Sequence, residues 1–175
     1  ILDNDQFQPD FLRISPNNKI PAIVDQNGPH GEAISIFESG AILQYLGRKT
    51  GMFYPVDEQQ RVEVEQWLMW QMGGFGPMLG QNHHFSQFAG EKIPYAIERY
   101  VNETKRLYGV LNTQLTGQKY VAGEYSIADM AILPWILSYA WQQIQIDDYP
   151  YVKDYMQRLT ARPAVQRALA IQVNN

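Results

Sequence analysis

The chain has 175 residues, with 14 Lys plus Arg against 18 Asp plus Glu, a formal net charge of −4 and no Cys. The acidic balance argues against nucleic acid as a partner, because phosphate contacts need a cationic surface, and the lack of Cys excludes disulfides, thiolate metal ligands and a protein thiol nucleophile within these residues. Hydrophobic residues at 45% and aromatic residues at 13% can fill a core, while apolar runs such as Ala128 to Trp135 fall short of the roughly 20 residues that span a bilayer, so the expectation is a cytoplasmic protein with no membrane partner.

In chain order, the first signals are β-like. Ala22 to Val24, after Pro21, and Ala33 to Phe37 are short apolar runs with turn chemistry between them at Gln26 to Gly31, which predicts an antiparallel hairpin. Ser39 to Leu46 carries a helical stripe of Ile42, Leu43, Tyr45 and Leu46 that ends before Gly51. Composition then changes between Met52 and Asp57, dividing the chain into residues 1–52 and 57–175. A two-stranded hairpin with one helix is marginal in water. The expectation is therefore either that the helical part covers it or that further strands precede Ile1.

Beyond that division the pattern is helical. Asp57 with Gln60 fits an N-cap, and Val64, Trp67, Leu68 and Met72 follow at helical spacing until Gly73, Gly74, Gly76 and Pro77 kink or end the run. Pro94 suits a first helical residue, with Ile97, Val101, Tyr108, Leu111 and Leu115 on one face out to Gly117. Ser126 and Asp129 mark another helix start, opening the apolar stretch Met130 to Trp141 of a buried helix that Pro134 should bend. Two helices, about Tyr151 to Thr160 and Pro163 to Ile171, close the chain. Trp67, Trp70, Tyr100, Tyr108, Trp135 and Trp141 read mostly as helical core. His83-His84 reads as structural or pocket-lining rather than metal-binding, because adjacent residues do not share a helix face.

Two segments offer chemistry. In Asn18-Lys19-Ile20-Pro21-Ala22 the proline directly precedes a strand. A trans bond there makes a stiff entry loop. A cis bond, the state of roughly 5–6% of X-Pro bonds, turns the Ile20 N–H and C=O outward, where an extended peptide can pair with them. Phe37-Glu38-Ser39-Gly40 lies where the second strand meets a helix. Taken alone, ordinary capping is the favoured explanation; the functional reading uses the same geometry, in which a helix N-terminus with a hydroxyl binds a carboxylate while the Glu38 carboxylate binds an ammonium, together an amino-acid head group.

In this order the segments resemble a glutathione transferase. Pro16 to Asp25 is similar to that family's approach to its third strand, Phe37 to Ile42 to its Glu-Ser helix start, and Ser126 to Ala131 to the capping box of its core helix. Gly73 to Phe85 and Ile93 to Tyr100 resemble the bacterial nu-class branch of disulfide-bond reductases, kin of a yeast nitrogen-regulator prion protein. The resemblance implies an α/β plus all-α fold, a partial thioredoxin-like domain over residues 1–52 and a helical domain over 57–175, assembled as a homodimer. It implies glutathione, reduced or oxidised, as cosubstrate, no metal, and a small disulfide or electrophile as second substrate. It places Ile20 and a cis Pro21 on the cysteinyl unit, Glu38 and Ser39 on the γ-glutamyl end, and Gln6 and Lys19 on the remaining polar groups of the tripeptide. Arg99 falls on the second glutathione; its other reading is a helix charge paired with Glu98 or Glu103.

The catalytic residue is unassigned and is expected before Ile1, where this branch keeps the Thr and Asn that stabilise the glutathione thiolate. A thiol of ordinary pKa about 8.5 needs donors or a helix dipole to ionise at neutral pH. With no Cys in these residues, thiol–disulfide exchange would run through glutathione sulfurs alone. The alternative expectation is a noncatalytic binding or regulatory module of the same fold.

Overall fold

Local turn chemistry shapes the start of the chain in the computed structural model, which describes residues 4–171 and falls into two compact units, Ile1–Val56 and Asp57–Asn175. In the first unit a 3-10 turn, Asp5–Phe7, leads into the short helix α1, Pro9–Ile14, with proline in its first turn and Arg13 paired to Asp10 at 2.7 Å. Strands β1, Ala22–Asp25, and β2, Ile34–Phe37, then pair antiparallel, with Ala22 opposite Phe37 and Asp25 opposite Ile34. Helix α2, Ser39–Thr50, follows at once and is closed by Gly51 at φ 67°. Its Ile42 is buried, as is Tyr54 beyond it. Gly47 lets Tyr54 approach, since a Cβ there would lie 2.6 Å from the Tyr54 Cβ. The end of β1 is tied to α2 through Asp25, whose carboxylate accepts from Tyr45 Oη at 2.7 Å and from Lys49 Nζ.

The second unit is helical. Helix α3, Glu58–Trp70, starts at Asp57, whose carboxylate accepts from the Gln60 N–H at 3.0 Å. The glycines that follow do not end it. The chain passes Gly73 and Gly74 in a π-helical turn, Gln71–Phe75, and continues as α4, Gly76–His83, and a second π turn, His84–Phe88. Pro77, which has no N–H to donate, follows the π turn directly as the second residue of α4. Helix α5, Pro94–Gln114, buries Val101, Leu107, Tyr108 and Leu111. Helix α6, Ile127–Ile136, is buried on nearly every side, and α7, Pro150–Thr160, and α8, Pro163–Leu169, complete the unit.

The helix expected to reach Trp141 stops at Ile136. A buried polar side chain explains the stop. Gln142, in the 3-10 turn Tyr139–Gln142, donates from Nε2 to the Trp135 carbonyl at 2.8 Å, satisfying a helix-end acceptor, and accepts from Tyr108 Oη at 2.7 Å. Asn82 joins the same network, donating to Thr104 Oγ1 at 3.0 Å and to the Gln142 carbonyl at 2.9 Å. At the start of α6, Asp129 accepts from the N–H of Ser126 and of Val121 and from Tyr155 Oη at 2.8, 3.0 and 2.7 Å. Among the described residues no helix is long and apolar enough to cross a membrane.

Candidate functional site

In the first unit, the loop between α1 and β1 is held by Ser15. This side chain is 1% exposed and donates from Oγ to the Lys19 carbonyl at 2.7 Å, while the Asn18 N–H closes a turn onto the Ser15 carbonyl at 2.9 Å. The loop delivers the Ile20–Pro21 peptide, which is cis, to the mouth of β1. Ile20 is 61% exposed. Among the described residues its amide and carbonyl engage no hydrogen bond.

On the other side, β2 runs into Glu38, which sits at φ 68° and ψ 118°, a main-chain conformation that L side chains rarely adopt. Its carbonyl accepts from the Ile42 N–H at 2.9 Å, so Glu38 caps α2 through its main chain and no side-chain cap bond is made. Ser39 is the first residue of α2. Lys19, Ile20, Pro21, Glu38 and Ser39 line one cleft of about 260 Å³ together with Ser15, Asn17 and Phe37. Two residues bearing a carboxylate and, at the N-terminus of α2, a hydroxyl thus share one hollow with Ile20, whose main chain is unpaired among the described residues. Ser15 and Asn17 escape a reading of the sequence. Their signal is the turn-forming run Ser15-Pro16-Asn17-Asn18.

Two expected site residues lie elsewhere. Gln6, in the first 3-10 turn, does not line that cleft; its Oε1 is buried without a hydrogen-bond partner among the described residues. Arg99 is exposed on α5 in the second unit and lines a separate cleft of about 650 Å³ with Met78, Tyr95, Tyr100, Glu103 and Arg106. Glu103 is held by Arg106 through two bonds of 2.8 and 2.7 Å. The Arg106 bond, with a smaller push from the nearby Arg99 charge, lowers the Glu103 pKa. Among the described residues Arg99 itself forms no ion pair with Glu98 or Glu103, although its charge reaches Glu103.

His83 lies between Trp135 and Trp141, at ring distances of 6.0 and 6.3 Å, and burial lowers its pKa, favouring the neutral ring. His84 sets its edge against Phe85 at 4.9 Å. Among the described residues no group of three His, Cys, Asp or Glu side chains could hold a metal ion.

Comparison with known proteins gives the family. The model of the glutathione S-transferase N-terminal domain matches residues 2–48, and that of the C-terminal domain matches residues 82–163. The chain is 55% identical over 166 residues to the disulfide-bond oxidoreductase YfcG of Escherichia coli (strain K12), covering 94% of this chain and 77% of that protein. Among solved structures, a glutathione transferase from Pseudomonas putida with one glutathione disulfide bound per subunit superposes with a TM-score of 0.92 at 47% identity, covering 98% of this chain and 77% of that one. A family member from Pseudomonas fluorescens with two glutathione bound gives 0.93 at 47% identity, covering 98% and 79%.

Proposed function

Since the chain belongs to the glutathione S-transferase family, with a thioredoxin-like first domain and a helical second one, we propose that it binds glutathione and reduces disulfides by thiol–disulfide exchange with it. We take residues 1–52 as the glutathione-binding part and residues 57–175 as the helical part, in a homodimer. The observation that carries the reading is the cleft that joins the unpaired Ile20 main chain to Glu38 and Ser39.

Ile20 offers its amide and carbonyl to the cysteinyl unit as to a short added strand. Glu38 takes the ammonium of the γ-glutamyl end, and Ser39 with the N-terminus of α2 takes its carboxylate. Lys19, which lines the cleft, meets the remaining polar groups, with Gln6 assigned to them on the family resemblance. Arg99 takes a carboxylate of the second glutathione, a role supported by its exposure and by its forming no ion pair among the described residues. The bound forms seen in the two Pseudomonas proteins, glutathione disulfide and two glutathione molecules, match such an exchange.

The chemistry balances without a protein sulfur. One glutathione thiolate attacks a disulfide, a new S–S bond forms as the old one breaks, and the leaving thiolate takes a proton. A second glutathione thiolate then attacks the glutathione sulfur of the mixed disulfide, whose S–S bond breaks to release the remaining substrate thiolate to take a proton, and leaves glutathione disulfide, so two glutathiones supply the two electrons. No described residue is assigned to stabilise the thiolate. The test is steady-state reduction of a small mixed disulfide of glutathione, with glutathione or with a non-tripeptide thiol as reductant. Turnover that requires glutathione supports the reading. Glutathione binding without turnover would leave a binding module in its place.

A further inference from the structure

The chain contains a single Asn-Gly dipeptide, Asn27–Gly28, in the exposed turn that follows β1. Packing demands the glycine: a Cβ at position 28 would lie 2.5 Å from the Glu32 carbonyl oxygen and 2.7 Å from the Ile34 side chain, so a side chain there moves the turn. The same lack of a Cβ leaves the Asn27 carboxamide carbon open to attack by the nitrogen of the next peptide group. Among the described residues that Gly28 N–H donates no hydrogen bond.

The other end of the same peptide group is engaged. Lys49 Nζ donates to the Asn27 carbonyl oxygen at 2.8 Å. Lys49 is in turn bound to Asp25, which also accepts from the Asn27 N–H at 2.9 Å, and this pairing raises the Lys49 pKa, keeping the ammonium charged in mildly alkaline solution. A hollow of about 530 Å³, lined by Asn27, Gly28, Tyr45, Arg48 and Lys49 among others, gives water access to the turn.

We propose that Asn27 is a site of spontaneous deamidation assisted by Lys49. The Gly28 nitrogen loses its proton to water or hydroxide, and the negative charge spreads onto the Asn27 carbonyl oxygen, where the Lys49 ammonium is already placed to stabilise it. The nitrogen bonds to the side-chain carbonyl carbon, the carbon–nitrogen bond of the carboxamide breaks, and ammonia leaves with a proton. Water opens the resulting five-membered imide at either carbonyl. The product is aspartate or isoaspartate at position 27, and no oxidant or reductant takes part. Either one adds a carboxylate beside Lys49, and isoaspartate lengthens the main chain of the turn by a methylene just where Asp25 and Lys49 fasten β1 to α2.

The test ages the purified full chain in warm, mildly alkaline buffer. The peptide containing Asn27 is followed by mass spectrometry and by an isoaspartyl methyltransferase assay. The wild type is expected to accumulate a peptide heavier by the one dalton that separates an acid from its amide. Asn27→Gln, whose longer side chain closes a less favourable ring, stays intact. Lys49→Met, shown to be folded by circular dichroism, ages several-fold more slowly than wild type, and Lys49→Arg recovers most of the rate. If position 27 reacts in urea but stays intact in the folded wild type, the turn protects the bond and the proposal is overturned. Lys49→Met ageing as fast as wild type overturns the assistance by Lys49.

Discussion

Replacing Asp129 by Ala removes the acceptor of a buried cluster at the start of α6. Oδ1 accepts from the Val121 N–H and Tyr155 Oη, and Oδ2 from the Ser126 N–H and, at 3.3 Å, from Ser126 Oγ. Asp129, Val121 and Tyr155 are 0% exposed and Ser126 is 2% exposed, so the Val121 and Ser126 amides and the tyrosine hydroxyl lose their partner where water does not reach. Each stranded buried group costs about 1–3 kcal/mol. Burial offsets part of this, because it pushes the Asp129 carboxyl above its ordinary value against the pull of its donors, and Ala no longer holds a charge there. The lower end of the range then applies, a loss of about 3 kcal/mol for three groups, large against a typical total of about 5–15 kcal/mol. Asp129→Asn keeps an acceptor for Tyr155 and Val121 but turns an NH₂ toward the Ser126 N–H, for about 1–3 kcal/mol. Urea unfolding, followed by tryptophan fluorescence and far-ultraviolet circular dichroism, measures both losses, with m unchanged. In a cycle with Tyr155→Phe, the double variant should lose less than the sum of the singles by about 0.5–3 kcal/mol. A loss below about 1 kcal/mol for Asp129→Ala, or strict additivity with Tyr155→Phe, would refute the reasoning.

Three further outcomes are expected. Bonds from Lys49, Tyr45 and the Asn27 N–H hold the Asp25 carboxyl at about 2 rather than 3.8, so its stabilising effect is complete above pH 3.8 and fades as pH falls toward 2; the gap in urea midpoint between wild type and Asp25→Asn should close over that window, and a gap independent of pH would contradict it. Arg99→Ala should weaken oxidised glutathione more than reduced glutathione in calorimetric titrations, and equal losses for both would remove Arg99 from the second-glutathione role. Leu111→Ala, at a fully buried position of α5, should cost about 2–5 kcal/mol in urea unfolding, and a loss under about 1 kcal/mol would mean that the site is not close-packed.

The parts of the fold that were legible in the sequence are those written in local chemistry. Asp57 with Gln60 and Ser126 with Asp129 announce helix starts because capping needs only residues three apart. The hairpin follows from two apolar runs around a Gly- and Pro-containing turn. Helix α1 is hidden because six residues are too few to display a helical period. The π turns are hidden because Gly73-Gly74-Phe75-Gly76-Pro77 has the composition of a helix end, while buried Phe75 and Leu79 keep the run packed on the core. The end of α6 at Ile136 rather than Trp141 is hidden for a similar reason, since the polar Gln142 after an apolar run gives no sign that it will be buried to cap that run. At the candidate site, Glu38 and Ser39 stand out at a strand-to-helix junction. Ser15 and Asn17 do not, because their place beside Ile20 is set by how the loop closes. That Arg99 pairs with neither Glu98 nor Glu103 is likewise set by side-chain placement along α5, where Glu103 is held by Arg106 one helical turn further on.

The most direct test of the central claim is calorimetric titration of glutathione into the wild type, Glu38→Gln and Ser39→Ala. Losing a hydrogen bond to a charged ligand group costs about 1.5–3 kcal/mol, so Glu38→Gln should weaken binding about tenfold or more, with a smaller loss for Ser39→Ala and no change in far-ultraviolet circular dichroism. Wild-type binding that both substitutions leave unchanged would contradict the placement of glutathione in the cleft of Ile20, Glu38 and Ser39.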